Sequence, residues 1–211
     1  MSSRRLLAID PSLTCSGWAL FHQREQSLLG FGKVRALPPR LALAARFEDL
    51  QSKFSKLLDK LAFAGGDLLI CEAATTMRDP LAAQKVEQVR GIIETLARQR
   101  GAEVPGRINP RTVQYELLGM RGKQLPRPIV KQLAVHAVRR LYAPRMLELG
   151  FPSEEGDLLK NQDIVDAILL GVVCLSRVKS AAQGGLPLAE QFDRELSRRR
   201  AQRGLRRLAV G

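Results

Sequence analysis

Apolar residues recur along the chain in runs whose period predicts an element each. Residues 5–10 (RLLAID) are a short apolar stretch closed by an acid, suited to a buried strand. A second stretch covers 15–21 (CSGWALF) and a third 28–36 (LLGFGKVRA), with Pro11 and Ser12 marking the turn between the first two. Links this short force an antiparallel meander, because parallel neighbours need a long crossover. After Pro38-Pro39 the period changes. Leu43, Phe47, Leu50, Phe54, Leu57 and Leu61 recur at spacings of three and four, which predicts an amphipathic helix stopped by Gly65-Gly66.

Residues 67–72 (DLLICE) return to a strand pattern. A helix is expected over 80–100, with Val86, Val89, Ile93 and Leu96 on one face. Its Gly91 either permits close helix packing or is a tolerated cost of about 1 kcal/mol. Residues 102–108 read as an edge strand, since Pro105 cannot donate to a ladder on both sides. Asn109-Pro110 opens a short helix that Gly119 closes. The basic, breaker-rich stretch 120–128 reads as a loop, 128–148 as a helix interrupted at Pro144, 152–161 as a polar connection, and 162–179 as the last core helix. The order β-β-β-α-β-α-β-α-α-α predicts an α/β fold, a mixed sheet with helices on both faces, compatible with an RNase H-like architecture. The expected division is a globular domain over 1–180 and a basic tail over 181–211.

Charge changes this picture from architecture towards function. The 211 residues carry 34 Lys+Arg against 21 Asp+Glu, a net charge of +13, which points to a polyanionic partner, nucleic acid before anionic membrane. Between Phe192 and Gly211 seven arginines face only Asp193 and Glu195, so the tail is basic, but so is the body. No apolar run is long enough to span a membrane, and the stretch before Asp10 is too short for a secretory h-region, so a cytoplasmic location is expected. Cys15, Cys71 and Cys174 form no paired motif, and with two histidines in the chain a zinc site is not expected; the cysteines read as packing residues.

Four acids stand apart. Asp10 and Glu72 each end an apolar strand, at the edge where open α/β sheets place their sites. Asp163 and Asp166 are three apart in the first turn of the last helix and share one face. Singly, each has an ordinary reading: a turn residue before proline, a surface strand end, partners of a helix dipole. Jointly, if that helix start packs on the strand ends, they converge, and like charges that close require a cation. All-oxygen ligands select Mg2+, with Mn2+ as substitute, and two such ions serve phosphodiester hydrolysis by activating water and stabilising the departing oxygen. A pocket already filled by a fixed lysine or arginine would speak against this reading.

These residues lie in motifs that resemble the RuvC family of Holliday-junction resolvases. LLAIDPSLTCSGWALF is similar to its opening motif, closest to phage- and plasmid-borne members; LLICEAA resembles the second motif, QVRGII its Gln-x-Arg-Gly helix, NPRTVQYELLG the segment leading into the basic loop, and NQDIVDAILLG the closing D-x-x-D-A motif. The resemblance runs in order from about 5 to 179. It implies a five-stranded mixed sheet, a homodimer acting on branched DNA, paired nicks leaving 5′-phosphate and 3′-hydroxyl ends, and Asp10, Glu72, Asp163 and Asp166 as catalytic metal ligands. Arg111, Lys123, Arg127 and Lys131 are the candidate DNA contacts. The sequence departs from the family in two places. Ala73 to Met77 holds no aromatic residue after the second acid, and the family's lysine before the basic loop falls on Gln114.

The leading expectation is therefore a Mg2+-dependent endodeoxyribonuclease that resolves four-way junctions; no helicase partner is identified. Related RNase H-like nucleases acting on forks, flaps or RNA–DNA hybrids share the chemistry, and a substrate panel separates them. A non-catalytic junction-binding protein would bind without cleaving. A phosphotransferase of the actin or sugar-kinase type would need a glycine-rich loop after Asp10, where only Gly17 stands.

Overall fold

Alternation along the strands decides which side of the sheet each residue faces, and both sides are apolar. In the computed structural model, which describes residues 4–73, 79–120 and 125–192, β1 (Arg5–Asp10), β2 (Cys15–His22) and β3 (Leu28–Arg35) form the antiparallel meander. β4 (Leu68–Glu72) adds parallel to the other edge of β1, and β5 (Arg107–Ile108) parallel to β4, giving the order β3-β2-β1-β4-β5. This is the mixed sheet of an RNase H-like fold.

Leu7, Ile9, Leu69 and Cys71 face one side, where α1 (Leu43–Lys60) and α2 (Pro80–Gln99) cover them with Leu50, Phe54, Val89 and Ile93. Leu6, Ala8, Leu68 and Ile70 face the other, beneath α3 (Pro110–Leu118), α4 (Arg127–Glu148), α5 (Glu155–Lys160) and α6 (Gln162–Gly184). Buried apolar surface on both faces is the main stabilising contribution, at roughly 25 cal/mol per Å2. Among the described residues no helix is long and apolar enough to cross a membrane.

Several boundaries differ from expectation. α1 ends at Lys60, ahead of the glycine pair, and Ala62 takes a left-handed φ of 47°. Arg5 stabilises this early stop by donating to the carbonyls of Leu61 (2.6 Å) and Ala62 (2.7 Å), while Phe63 turns into the core. The expected strand over 102–108 shrinks to two residues plus a bridge between Leu68 and Glu103, because Pro105 interrupts the ladder. The polar connection contains α5, anchored by fully buried Leu158. α4 runs through Pro144. α6 continues to Gly184, where Gly185 (φ 60°) caps it.

The space around Gly91, Gly30 and Gly32 explains each of them. A Cβ on Gly91 would meet nothing within 4 Å, so it serves no close packing. Gly30 and Gly32 leave room for the Trp18 ring, whose atoms lie 2.9–3.0 Å from the nearest Cβ position at Gly32, so Trp18 is a packing residue of the sheet. Phe192 is buried beside Gly106, with the Arg177 guanidinium 5.4 Å from its ring centre, so packed chain extends to 192.

Candidate active site

Parallel pairing of β1 with β4 brings two acids side by side. The register runs Ala8↔Ile70 and Ile9↔Cys71, so Asp10 and Glu72 each follow the last registered pair. By alternation both point to the face that carries Leu6, Ala8, Leu68 and Ile70, the face covered by α6. In the antiparallel direction Asp10 pairs with Gly17, and Gly17 with Lys33. One row across the sheet therefore reads Lys33, Gly17, Asp10, Glu72.

The first turn of α6 lands on this row at its one bare position. A Cβ on Gly17 would stand 1.8 Å from the Asp163 carbonyl oxygen and 2.9 Å from the Ile164 nitrogen. Ile164, Val165, Ala167 and Ile168 are buried beneath the helix and hold it there, which leaves Asp163 and Asp166 at the strand ends. Acids from three separated stretches of chain thus share one edge of the sheet.

Their electrostatics record the meeting. Burial, then Glu72, Asp166 and Asp163, raise the Asp10 carboxyl well above its ordinary value, against an opposing pull from Arg90. Burial and Asp166 raise Glu72 from 4.5 to about 7, with Arg90 again opposing. Burial and Asp163 raise Asp166 from 3.8 to about 6, while Lys131 and Arg127 pull it down. Of the expected basic residues, Arg127 and Lys131 therefore stand at the acids, in the first turns of α4. Arg111 is exposed in the first turn of α3, and Lys123 lies outside the described residues, as do Ala74 to Met77 and the arginines after 192.

Three neighbours of the acids were not assigned to the site from the sequence. Lys33 Nζ lies 3.1 Å from Asp163 Oδ2, with side chains 15% and 35% exposed. The expectation of a pocket free of fixed cations therefore fails at Asp163, although among the described residues Asp10, Glu72 and Asp166 form no such pair. The Cys15 thiol is raised by burial and by its hydrogen bond to Asp163. Arg90, 1% exposed, donates from Nε to the Glu72 carbonyl (2.6 Å) and pairs with Glu87. Lys33 was detectable in principle, because it shares the parity of Phe31 on β3 and so lies on a buried face.

Among the described residues, no three His, Cys, Asp or Glu side chains are gathered tightly enough to hold a metal ion as they stand. The donors nonetheless fit a hard divalent cation: all are carboxylates, and their mutual repulsion is the property a bound cation relieves.

No protein-family model and no curated protein matches the sequence. Solved structures do match the fold. A Thermus thermophilus RuvC structure superposes with a TM-score of 0.59 at 19% identity, covering 85% of this chain and 96% of that one. T. thermophilus RuvC in complex with Holliday junction substrate superposes with a TM-score of 0.58 at 18% identity and the same coverage. The chain has a RuvC-like fold.

Proposed function

We propose that this protein is a structure-selective endonuclease that resolves four-way DNA junctions by paired phosphodiester hydrolysis, leaving 5′-phosphate and 3′-hydroxyl ends. The observation that carries the reading is the meeting of Asp10, Glu72, Asp163 and Asp166 at one sheet edge, where the other three acids all raise the Asp10 carboxyl. The RuvC-like fold and the net charge of +13 support it.

The four carboxylates would hold two Mg2+ ions, replaceable by Mn2+. When bound, the ions lower the pKa of the attacking water and stabilise charge on the departing 3′ oxygen. The chain's own contribution is positional. β1 and β4 fix Asp10 and Glu72 on a paired backbone, and Gly17 lets α6 bring its two aspartates against them. Arg127 and Lys131, beside Asp166, contact the phosphates flanking the cut, and Arg111 extends that basic surface along α3. Two nicks in opposed strands need two such sites, so the active form is a homodimer.

The test is cleavage of a synthetic four-way junction with Mg2+, alongside a linear duplex, a fork and an RNA–DNA hybrid. The junction is expected to be cut preferentially, and Asp10→Asn to abolish cutting while retaining junction binding. Cutting that persists in Asp10→Asn, or a hybrid cut as readily as the junction, contradicts the proposal.

A further inference from the structure

We infer that Lys33 is an exchangeable cation of this site: it neutralises Asp163 while no divalent ion is bound, and passes to a phosphate oxygen of the DNA once an ion takes its place. The inference rests on the carboxylate-site reading above and adds a residue to it.

The geometry begins with the sheet. Lys33 is two strands from Asp10 in the same row, with Gly17 between them, and the bare Gly17 admits the Asp163 backbone beside Lys33. Neighbouring strands are about 4.8 Å apart, a distance that a four-carbon stem spans. The Lys33 side chain is 15% exposed and its Nζ lies 3.1 Å from Asp163 Oδ2. A lysine on the buried face of a strand costs desolvation, and Asp163 offsets that cost.

Competition follows from charge. An Asp163 oxygen that coordinates a divalent ion gives up much of the negative charge that attracts the ammonium, and the ion repels it. The displaced lysine keeps its buried stem, so its tip stays within reach of whatever ligand approaches the ion. For a nuclease that ligand is the phosphodiester, whose non-bridging oxygens accept the three N–H donors of an ammonium. Lys33 thus holds Asp163 in place before metal binding and offers positive charge to the substrate afterwards. Arginine at this position would keep the charge, whereas glutamine would keep only a polar tip.

Direct titration of Mn2+ into the full-length protein, read by calorimetry without DNA, tests this. Lys33→Gln and Lys33→Met are expected to bind Mn2+ about tenfold more tightly than the unsubstituted protein, a change of about 1.4 kcal/mol. The same variants are expected to cut the junction at least tenfold more slowly at saturating Mn2+, with Lys33→Arg restoring part of the rate. Misfolding does not produce tighter binding, so this opposition of signs is specific to competition. Unchanged or weakened Mn2+ affinity in both variants, where the unsubstituted protein binds Mn2+ and Asp10→Asn does not, overturns the role of Lys33 alone. Asp10→Asn binding Mn2+ as well as the unsubstituted protein overturns the carboxylate site, and this inference with it.

Discussion

The Asp163 carbonyl oxygen occupies the space that a side chain on Gly17 would fill, 1.8 Å from the position of its Cβ. Helix α6 can therefore approach the sheet only over a bare residue, and the placing of two of the four acids depends on it. Gly17→Ala is expected to lift the helix start from the sheet and to cost about 1–3 kcal/mol of stability. Junction cleavage should fall more than the stability loss alone explains, at a temperature where urea unfolding shows the variant to be folded.

The metal-free protein should lose stability as pH rises. Glu72 titrates near 7 and Asp166 near 6 in the folded chain, and unfolding returns both towards 4.5 and 3.8. Over that window the folded state binds more protons than the unfolded one, so protonation favours folding below it and the advantage is lost on passing through 6 and 7. Each group contributes at most on the order of 1 kcal/mol per pH unit, less where solvent reaches it. Urea midpoints in EDTA from pH 5 to 8 should decline, and added Mg2+ should reverse the decline most at pH 8. A midpoint that rises with pH in EDTA would contradict this.

Asp67 ties the start of β1 to the loop after α1. It is 5% exposed and accepts from the Arg5 backbone N–H (3.1 Å), Arg5 Nε (3.2 Å) and Nη2 (2.5 Å), and the Ala64 N–H (3.1 Å). Asp67→Ala leaves these donors unpaired and is expected to cost about 3 kcal/mol, the lower end of the range for a broken buried pair because Arg5 is partly exposed. Chemical denaturation measures it.

Gly91 offers the opposite sign. Nothing lies within 4 Å of a Cβ placed there, in the middle of α2. Gly91→Ala should raise stability by about 0.5–1 kcal/mol by reducing the freedom of the unfolded chain.

Most of the fold was legible because its signals are local. Asp10 and Glu72 end apolar runs, and both mark the ends of real strands. Asn109 and Gly119 bracket α3 as their capping chemistry requires, Asn109 accepting from the Arg111 N–H at 2.9 Å. The misplaced boundaries depend on distant partners: α1 stops where the Arg5 side chain reaches its carbonyls, and α5 exists because Leu158 finds the core. The same division holds at the site. Strand ends and a helical i, i+3 pair marked the acids, whereas Lys33 and Cys15 reach Asp163 only through the register of β2 and β3, and that register is set by packing.

Anomalous scattering from crystals grown with Mn2+ decides whether the four carboxylates hold divalent ions at this edge of the sheet. Manganese peaks are expected among Asp10, Glu72, Asp163 and Asp166, with Lys33 displaced from Asp163. Peaks elsewhere, or an Asp10 separated from the nearest ion by more than one bridging water, would contradict it.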